Sequence, residues 1–235
     1  MKAYTSNNIR NIAVLGHGGK GKTTLCEAML YIAGASDRLG RVADGNTVLD
    51  FDSEEKRRKS SVSSAIAALE WDNTKLNIID APGLFDFEGG AAEAVRAAEA
   101  VLIVTSAGSG VDVGTEKAFR AAEKKGAAKF FAVTKTDSDH RNFYKTFDAL
   151  KEVYGNKLCP TIIPYMEGNI TKCYVNLMTG MAFSYDENGK ATKVPVPEDS
   201  VIEEMTSAFM EAVATTDDAL MEKFFEGEKF TKEEI

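Results

Sequence analysis

Apolar residues follow two rhythms along this chain. Ile12–Leu15 is a short apolar run closed by Gly16, the pattern of a buried strand. From Lys22 to Ala33 the apolar positions Leu25, Met29 and Ile32 recur at helical spacing. Residues 36 to 61 are mostly polar, with Asp44, Gly45 and Asn46 in sequence and a charge run from Glu54 to Lys59. That texture predicts a long mobile loop whose charge run is a solvated face. Strand-like segments then recur at Ser63–Trp71, Leu76–Asp80, Val101–Ser106 and Lys129–Thr134. Helical patterns fall at Ala91–Ala98, Gly114–Lys125 and Phe143–Tyr154. Alternating strands and helices predict an α/β fold with a mostly parallel sheet covered on both faces. Ala91–Ala98 could offer a partner face, but as a helix beside its own strands it is expected to pack on the sheet.

The texture changes after Cys159-Pro160. Tyr174–Leu177 and Ala182–Tyr185 read as short strands, with Glu187-Asn188-Gly189 as a hairpin turn and Pro195 and Pro197 as punctuation. Val201–Val213 and Ala219–Phe225 return to helical periodicity. The expected division is therefore a core over 1–159 and a small α+β unit over 160–235. Thr231-x-x-Glu234 fits a capping box with Ile235 as the first apolar residue behind it, so a helix start is announced just where the sequence stops. A C-terminally truncated chain is the expectation.

Composition narrows the classes. With 235 residues, 28 Lys plus Arg against 36 Asp plus Glu and a net charge of -8, the chain lacks the cation excess of a stand-alone nucleic-acid binder. No direct DNA binding is expected. No apolar run approaches the length of a membrane span, and residues 1–10 hold no signal-like stretch. No membrane partner and a cytoplasmic setting follow. Cys26, Cys159 and Cys173 form no Cys-x-x-Cys pair and are expected as buried reduced thiols. His17 and His140 are the only histidines, too few for a zinc site or a histidine triad.

Gly16-His17-Gly18-Gly19-Lys20-Gly21-Lys22-Thr23 matches G-x-x-x-x-G-K-[ST] between a strand and a helix. Glycines let backbone N–H groups turn toward phosphate oxygens beside a positive helix end. Lys22 would reach the outer phosphates and the Thr23 hydroxyl would bind Mg²⁺. Asp80-Ala81-Pro82-Gly83 closes the strand Leu76–Ile79. Alone it is a common strand-ending turn. Behind a phosphate loop, Asp80 would hold Mg²⁺ through water and the Gly83 N–H would meet a terminal phosphate. Thr134-Lys135-Thr136-Asp137 ends the last strand of the core. A carboxylate at Asp137 would accept from N1–H and the N2 amino group of guanine, a donor pair that adenine lacks. Lys135 would lie along the purine and ribose. The three motifs together imply a GTPase rather than an ATPase.

Asn11-Ile12 to Thr24, Asp44-Gly45, Asn77 to Phe87, Gly110-Val111 and Glu198 to Glu226 resemble the N-terminal nucleotide-binding domain of elongation factor G, above all its divergent elongation factor G-like paralogues. The resemblance spans essentially the whole chain, with 160–235 similar to that family's inserted subdomain. It implies a P-loop GTPase core, bound GTP or GDP with Mg²⁺, and work on the ribosome by a longer protein. It also implies nucleotide contacts from Gly16 through Thr24 and from Thr134, Lys135 and Asp137. Metal contacts would come from Thr23, Ser61 and Asp80, with Ser61 in place of a first-switch threonine. Lys22 and Gly83 would act in hydrolysis. The main departure is Leu84, which stands where the family places a water-orienting histidine, and an isobutyl group cannot hydrogen-bond to water. Slow hydrolysis assisted by the ribosome is the leading expectation. The rival is a GTP-binding ribosome-interaction module with little or no hydrolysis, and a further alternative is a ribosome protection or recycling GTPase. His17 could substitute for the lost histidine, but it is expected to be structural. Thr134 replaces the family's base-reading asparagine, Gly19 its phosphate-loop aspartate, and Lys20 adds a charge there.

Overall fold

The computed structural model describes residues 2–136, 142–155, 158–168, 170–186, 189–231 and 233–235. Asp137, His140 and most of the Glu187–Gly189 turn lie outside the described residues. The chain divides into two compact units, 1–136 with 144–146, and 137–143 with 147–235.

The first unit is built on five strands: β1 Ile9–Leu15, β2 Ala65–Trp71, β3 Thr74–Asp80, β4 Ala100–Ser106 and β5 Ala128–Thr134. Their spatial order is β2-β3-β1-β4-β5. Pairing is parallel between β1 and β3, β1 and β4, and β4 and β5, while β2 runs antiparallel to β3 as an edge. This is the mostly parallel sheet that the strand–helix alternation predicts. Helices α1 Lys22–Ile32, α2 Ser53–Arg58, α3 Glu88–Ala97 and α4 Val113–Lys125 connect these strands. Val14, Cys26, Leu30, Leu49, Leu69, Ile78 and Val104 form one buried cluster. α3 turns Ala94 and Val95 inward, as expected for a helix packing on its own sheet. Strand order places the carboxyl ends of β1, β3, β4 and β5 along one edge, where open α/β sheets bind ligands.

The segment 36–61 departs from the expected mobile loop. Leu49 is fully buried in the main cluster, Val42–Asp44 forms a 3-10 turn, and Ser53–Arg58 is a helix with a complete capping box between Asp52 and Glu55. The run read as a solvated face is thus helical. It is still largely a solvated face, since Lys56, Arg57, Arg58 and Lys59 are exposed and Glu54 pairs with Arg57 and Arg58; Glu55 alone is buried.

The second unit holds most of α5 Phe143–Tyr154 and four strands, β6 Ile162–Glu167, β7 Ile170–Asn176, β8 Met181–Tyr185 and β9 Ala191–Val194. They form an antiparallel sheet in sequence order, and α6 Ser200–Ala214 and α7 Asp218–Glu226 follow. Ile163, Cys173, Val175, Leu177, Ala182, Ile202 and Phe209 make its core, with Ile235 packed against it. At the end of the chain, Glu234 accepts the Thr231 N–H at 2.8 Å, one half of the anticipated capping box. All three cysteines are free. Cys26 and Cys173 are buried as expected, but Cys159 is exposed. Among the described residues no helix is long and apolar enough to cross a membrane.

Candidate functional site

The carboxyl end of β1 opens into a loop that only glycine can build. Gly16, Gly19 and Gly21 have φ of 139°, 74° and 87°, where side chains are strained. A Cβ on Gly16 would lie 2.2 Å from the Val104 carbonyl oxygen, so β4 also forbids one there. Gly21 caps α1, and Lys22 and Thr23 begin it. The Lys22 ammonium is buried and donates to the carbonyls of Gly16 and His17, both at 3.0 Å. Burial pushes its pKa down, and the Asp80 carboxyl is the chief opposing influence.

The other motifs converge on this loop. A Cβ on Gly83 would lie 2.1 Å from Lys22 Nζ and 2.8 Å from the Gly16 carbonyl, so the turn after β3 can cross the phosphate loop only as glycine. Thr134 Oγ1 lies 2.6 Å from the Lys20 carbonyl and 3.0 Å from that of Thr105, so its single proton braces the loop from the end of β5. Lys135, at φ 56°, donates to the Gly19 carbonyl at 2.6 Å. The Lys20 ammonium is taken up by Asp112 at 3.1 Å and Ser106 Oγ at 3.4 Å. Burial works upward on Asp112, but the Thr115 N–H and hydroxyl together with Lys20 hold its pKa below the ordinary value. Thr24 is exposed on the first turn of α1.

Three side chains form a hydroxyl relay. Ser61 Oγ donates to Asp50 Oδ1 at 2.7 Å, so its one proton is spent. Thr23 Oγ1 lies 3.1 Å from Ser61 Oγ. Beside them Asp80 is 1% exposed, and both its oxygens lack a hydrogen-bond partner, as does Asp50 Oδ2. Burial raises the Asp80 pKa to about 7, even though the Thr23 hydroxyl and Lys22 ammonium favour its charged form and Asp50 and Glu27 oppose it. Burial likewise raises Asp50, against the Ser61 hydrogen bond. A cavity of about 220 Å³ opens here between Lys22, Thr23, Asp50, Ser61, Gly83 and Lys135.

The comparisons agree with this geometry. The family model described as the elongation factor Tu GTP binding domain matches residues 7–228. The chain belongs to that GTP-binding family. An "Elongation factor G-like protein" of Mycobacterium tuberculosis (strain CDC 1551 / Oshkosh) is 34% identical over 223 residues, covering 94% of this chain and 30% of the relative. The protein of the same name from strain ATCC 25618 / H37Rv matches equally. A crystal structure of a Thermus thermophilus protein superposes with a TM-score of 0.88 at 36% identity, over 96% of this chain and 34% of that one. A bacterial selenocysteine-specific elongation factor, EF-Sec, gives a TM-score of 0.52 at 25% identity, over 63% of this chain and 24% of that one. The chain thus spans about 30% of the length of the curated relatives it matches.

Within this elongation factor-type domain, the unpaired oxygens of Asp80 (both) and Asp50 (Oδ2) are the observation that tests for a cation. Buried carboxylates without donors are costly unless a cation or proton is supplied. Among the described residues no three His, Cys, Asp or Glu side chains could hold a metal alone. Two hydroxyls and two carboxyls beside a phosphate loop are instead the partial set that suits Mg²⁺ completed by phosphate oxygens and water. The residues present therefore fit the ion. Asp50 is the member that the sequence reading missed, because it stands in a polar stretch with no motif around it.

The side around Leu84 is different in kind. Leu84 is 39% exposed, and a Cβ on Gly18 would lie 3.0 Å from its Cδ2. His17 packs edge-on against Phe85 with ring centroids 5.5 Å apart, and its Nδ1 is buried without a partner. A Cβ on Gly114 would strike the His17 Cα at 2.6 Å, so α4 fixes that histidine from behind. An apolar cavity of about 350 Å³ runs on from Pro82, Leu84 and Phe85 toward Ala92, Val95, Ala118 and Ala121.

Proposed function

We propose that this chain is the Mg²⁺- and GTP-binding switch of an elongation factor G-like translation factor that works on the ribosome and hydrolyses GTP slowly on its own. The observation that carries the proposal is Asp80, with neither oxygen paired, and Asp50, with Oδ2 unpaired, facing the Thr23–Ser61 relay beside Lys22. In this reading the backbone of Gly16–Thr24 cradles the phosphates, Lys22 compensates the outer ones, and Thr23 and Ser61 present hydroxyl oxygens to the cation. Bound Mg²⁺ would neutralise developing phosphate charge. The Gly83 N–H would meet the terminal phosphate, and Asp137, with Lys135 beside it, would select guanine over adenine. Water adds to the terminal phosphorus while the bond to the bridging oxygen breaks, giving GDP and phosphate. Residues 1–159 would serve as the nucleotide core and 160–235 as the inserted subdomain.

Leu84 sets the expected rate. No polar side chain stands at the position from which the family's histidine orients water, and positioning is most of what a protein contributes to phosphoryl transfer. The same observation favours a second reading, a GTP-dependent ribosome-interaction module with little hydrolysis. Translocation, protection and recycling are all jobs of a longer protein, and translocation is the one proposed. The test is phosphate release by the full-length protein with and without ribosomes. Stimulated release supports the translational GTPase. Tight GTP binding without stimulated release supports the second reading, and unimpaired GTP binding by Lys22→Ala removes both.

A further inference from the structure

Glu27 and Glu55 are buried at 0% and 3% exposure, yet neither belongs to the hydroxyl relay. Burying a carboxyl group is unfavourable unless donors meet its oxygens. The donors here all come from one loop backbone. Glu27, on α1, accepts from Val48 N–H at 2.7 Å and Leu49 N–H at 3.0 Å through the same oxygen. Those two amides immediately precede Asp50. The other oxygen, Oε2, is buried without a partner, and Gly40 closes on it: a Cβ there would lie 2.2 Å from Glu27 Oε2 and 2.8 Å from Thr47 Cα. Residues 40–49 therefore wrap around a single carboxyl group.

Glu55 repeats the device on the far side. Its Oε1 accepts from Val62 N–H at 3.0 Å and Ser63 N–H at 3.1 Å, while Oε2 accepts the Asp52 N–H at 3.2 Å. Those first two amides immediately follow Ser61. One acid thus fixes the backbone entering Asp50, and the other fixes the backbone leaving Ser61. The bond between Ser61 and Asp50 joins the two fixed points.

We propose that Glu27 and Glu55 are positioning residues that hold Asp50 and Ser61 against Thr23, so that the cation half of the site is assembled before nucleotide arrives. This deepens the proposed function and rests on it. A loop ordered only by phosphate and cation draws its ordering cost from their binding energy; a loop held by its own acids does not. Neither acid lines the cavity of about 220 Å³, so their effect should surface in the Mg²⁺ dependence of binding.

The experiment is a Mg²⁺ titration of fluorescent GTP-analogue binding by the chain, beside Glu27→Gln and Glu55→Gln. Each variant is expected to raise the Mg²⁺ midpoint about 10-fold, the lower end for residues that orient metal ligands, with affinity in excess EDTA unchanged. Gly40→Ala, which displaces the Glu27 carboxyl without altering it, should shift the midpoint in the same direction. Midpoints equal to wild type overturn the inference, as does an equal loss of affinity with and without Mg²⁺, which describes a scaffold. If all three variants lose their circular-dichroism signal, the acids hold the fold rather than the site, and the inference also fails. A wild-type chain that binds no GTP at any Mg²⁺ concentration refutes the functional reading instead.

Discussion

The two sides of the phosphate loop are made of opposite materials. On the first-switch side, Thr23, Ser61, Asp50 and Asp80 are all buried and polar, and the loop carrying two of them is bonded at both ends. On the other side Leu84 and Phe85 are partly exposed, stand beside an apolar cavity, and carry no polar side-chain group. The contrast teaches where this domain's binding and catalytic capacity lie. On the proposed reading, it is well equipped to hold a cation and phosphates and poorly equipped to orient water.

The largest expected effect on GTP binding comes from the group that both sides share. Lys22→Ala should weaken GTP binding by about 30- to 150-fold, since losing a charged hydrogen-bond partner costs about 2–3 kcal/mol. Equilibrium binding by fluorescence measures it, and a loss under threefold would remove Lys22 from the site. Next comes the anchor of the first-switch loop. Leu49→Ala should destabilise the fold by about 2–5 kcal/mol, as for other buried leucines, read by chemical denaturation. A change under 0.5 kcal/mol (roughly the size of an ordinary surface substitution) would mean that the loop is not anchored as described.

A smaller effect sharpens the contrast from the other side. Gly18→Ala places a methyl 3.0 Å from Leu84 Cδ2, so Leu84 must shift by a few tenths of an ångström. GTP affinity should change less than about threefold, because the pressed group is the movable end of a flexible side chain. A loss of tenfold or more would show that Leu84 is held rigidly against the loop. The smallest effect is electrostatic. Hydrogen bonds from Arg57 and Arg58 lower the Glu54 pKa from 4.5 to about 2. A depressed carboxyl supports the fold fully above its ordinary value and loses that support as pH falls toward the folded value. Protection of the α2 amides, taken relative to the intrinsic exchange rate at each pH, should therefore fall modestly as pH drops from 4.5 to about 2, and Glu54→Gln should flatten that response.

How much of this was legible in the sequence depends on the distance over which the deciding contact acts. The phosphate loop, the strand before it and the helix behind it are local, and spacing reveals them. The order of the segment 36–61 is not local, because Glu27 meets Val48 and Leu49 more than twenty positions along the chain. A polar composition read without those contacts predicts a mobile loop. Asp50 was hidden for the same reason. β6 escaped notice because Pro164 interrupts it, which an edge strand tolerates and an internal strand does not. β9 is four residues long, and three of them are exposed. Leu84 was legible only against a family pattern, and the structure adds its fit beside Gly18.

The central claim is that this site holds Mg²⁺ and GTP well but orients water poorly because of Leu84. The most direct measurement is single-turnover GTP hydrolysis by the full-length protein without ribosomes, wild type beside Leu84→His at saturating protein. The account predicts slow wild-type hydrolysis and a rate raised about 100-fold or more in the variant, the lower end for a positioned catalytic group, with GTP affinity unchanged. Fast wild-type hydrolysis that the substitution leaves alone or slows would contradict it.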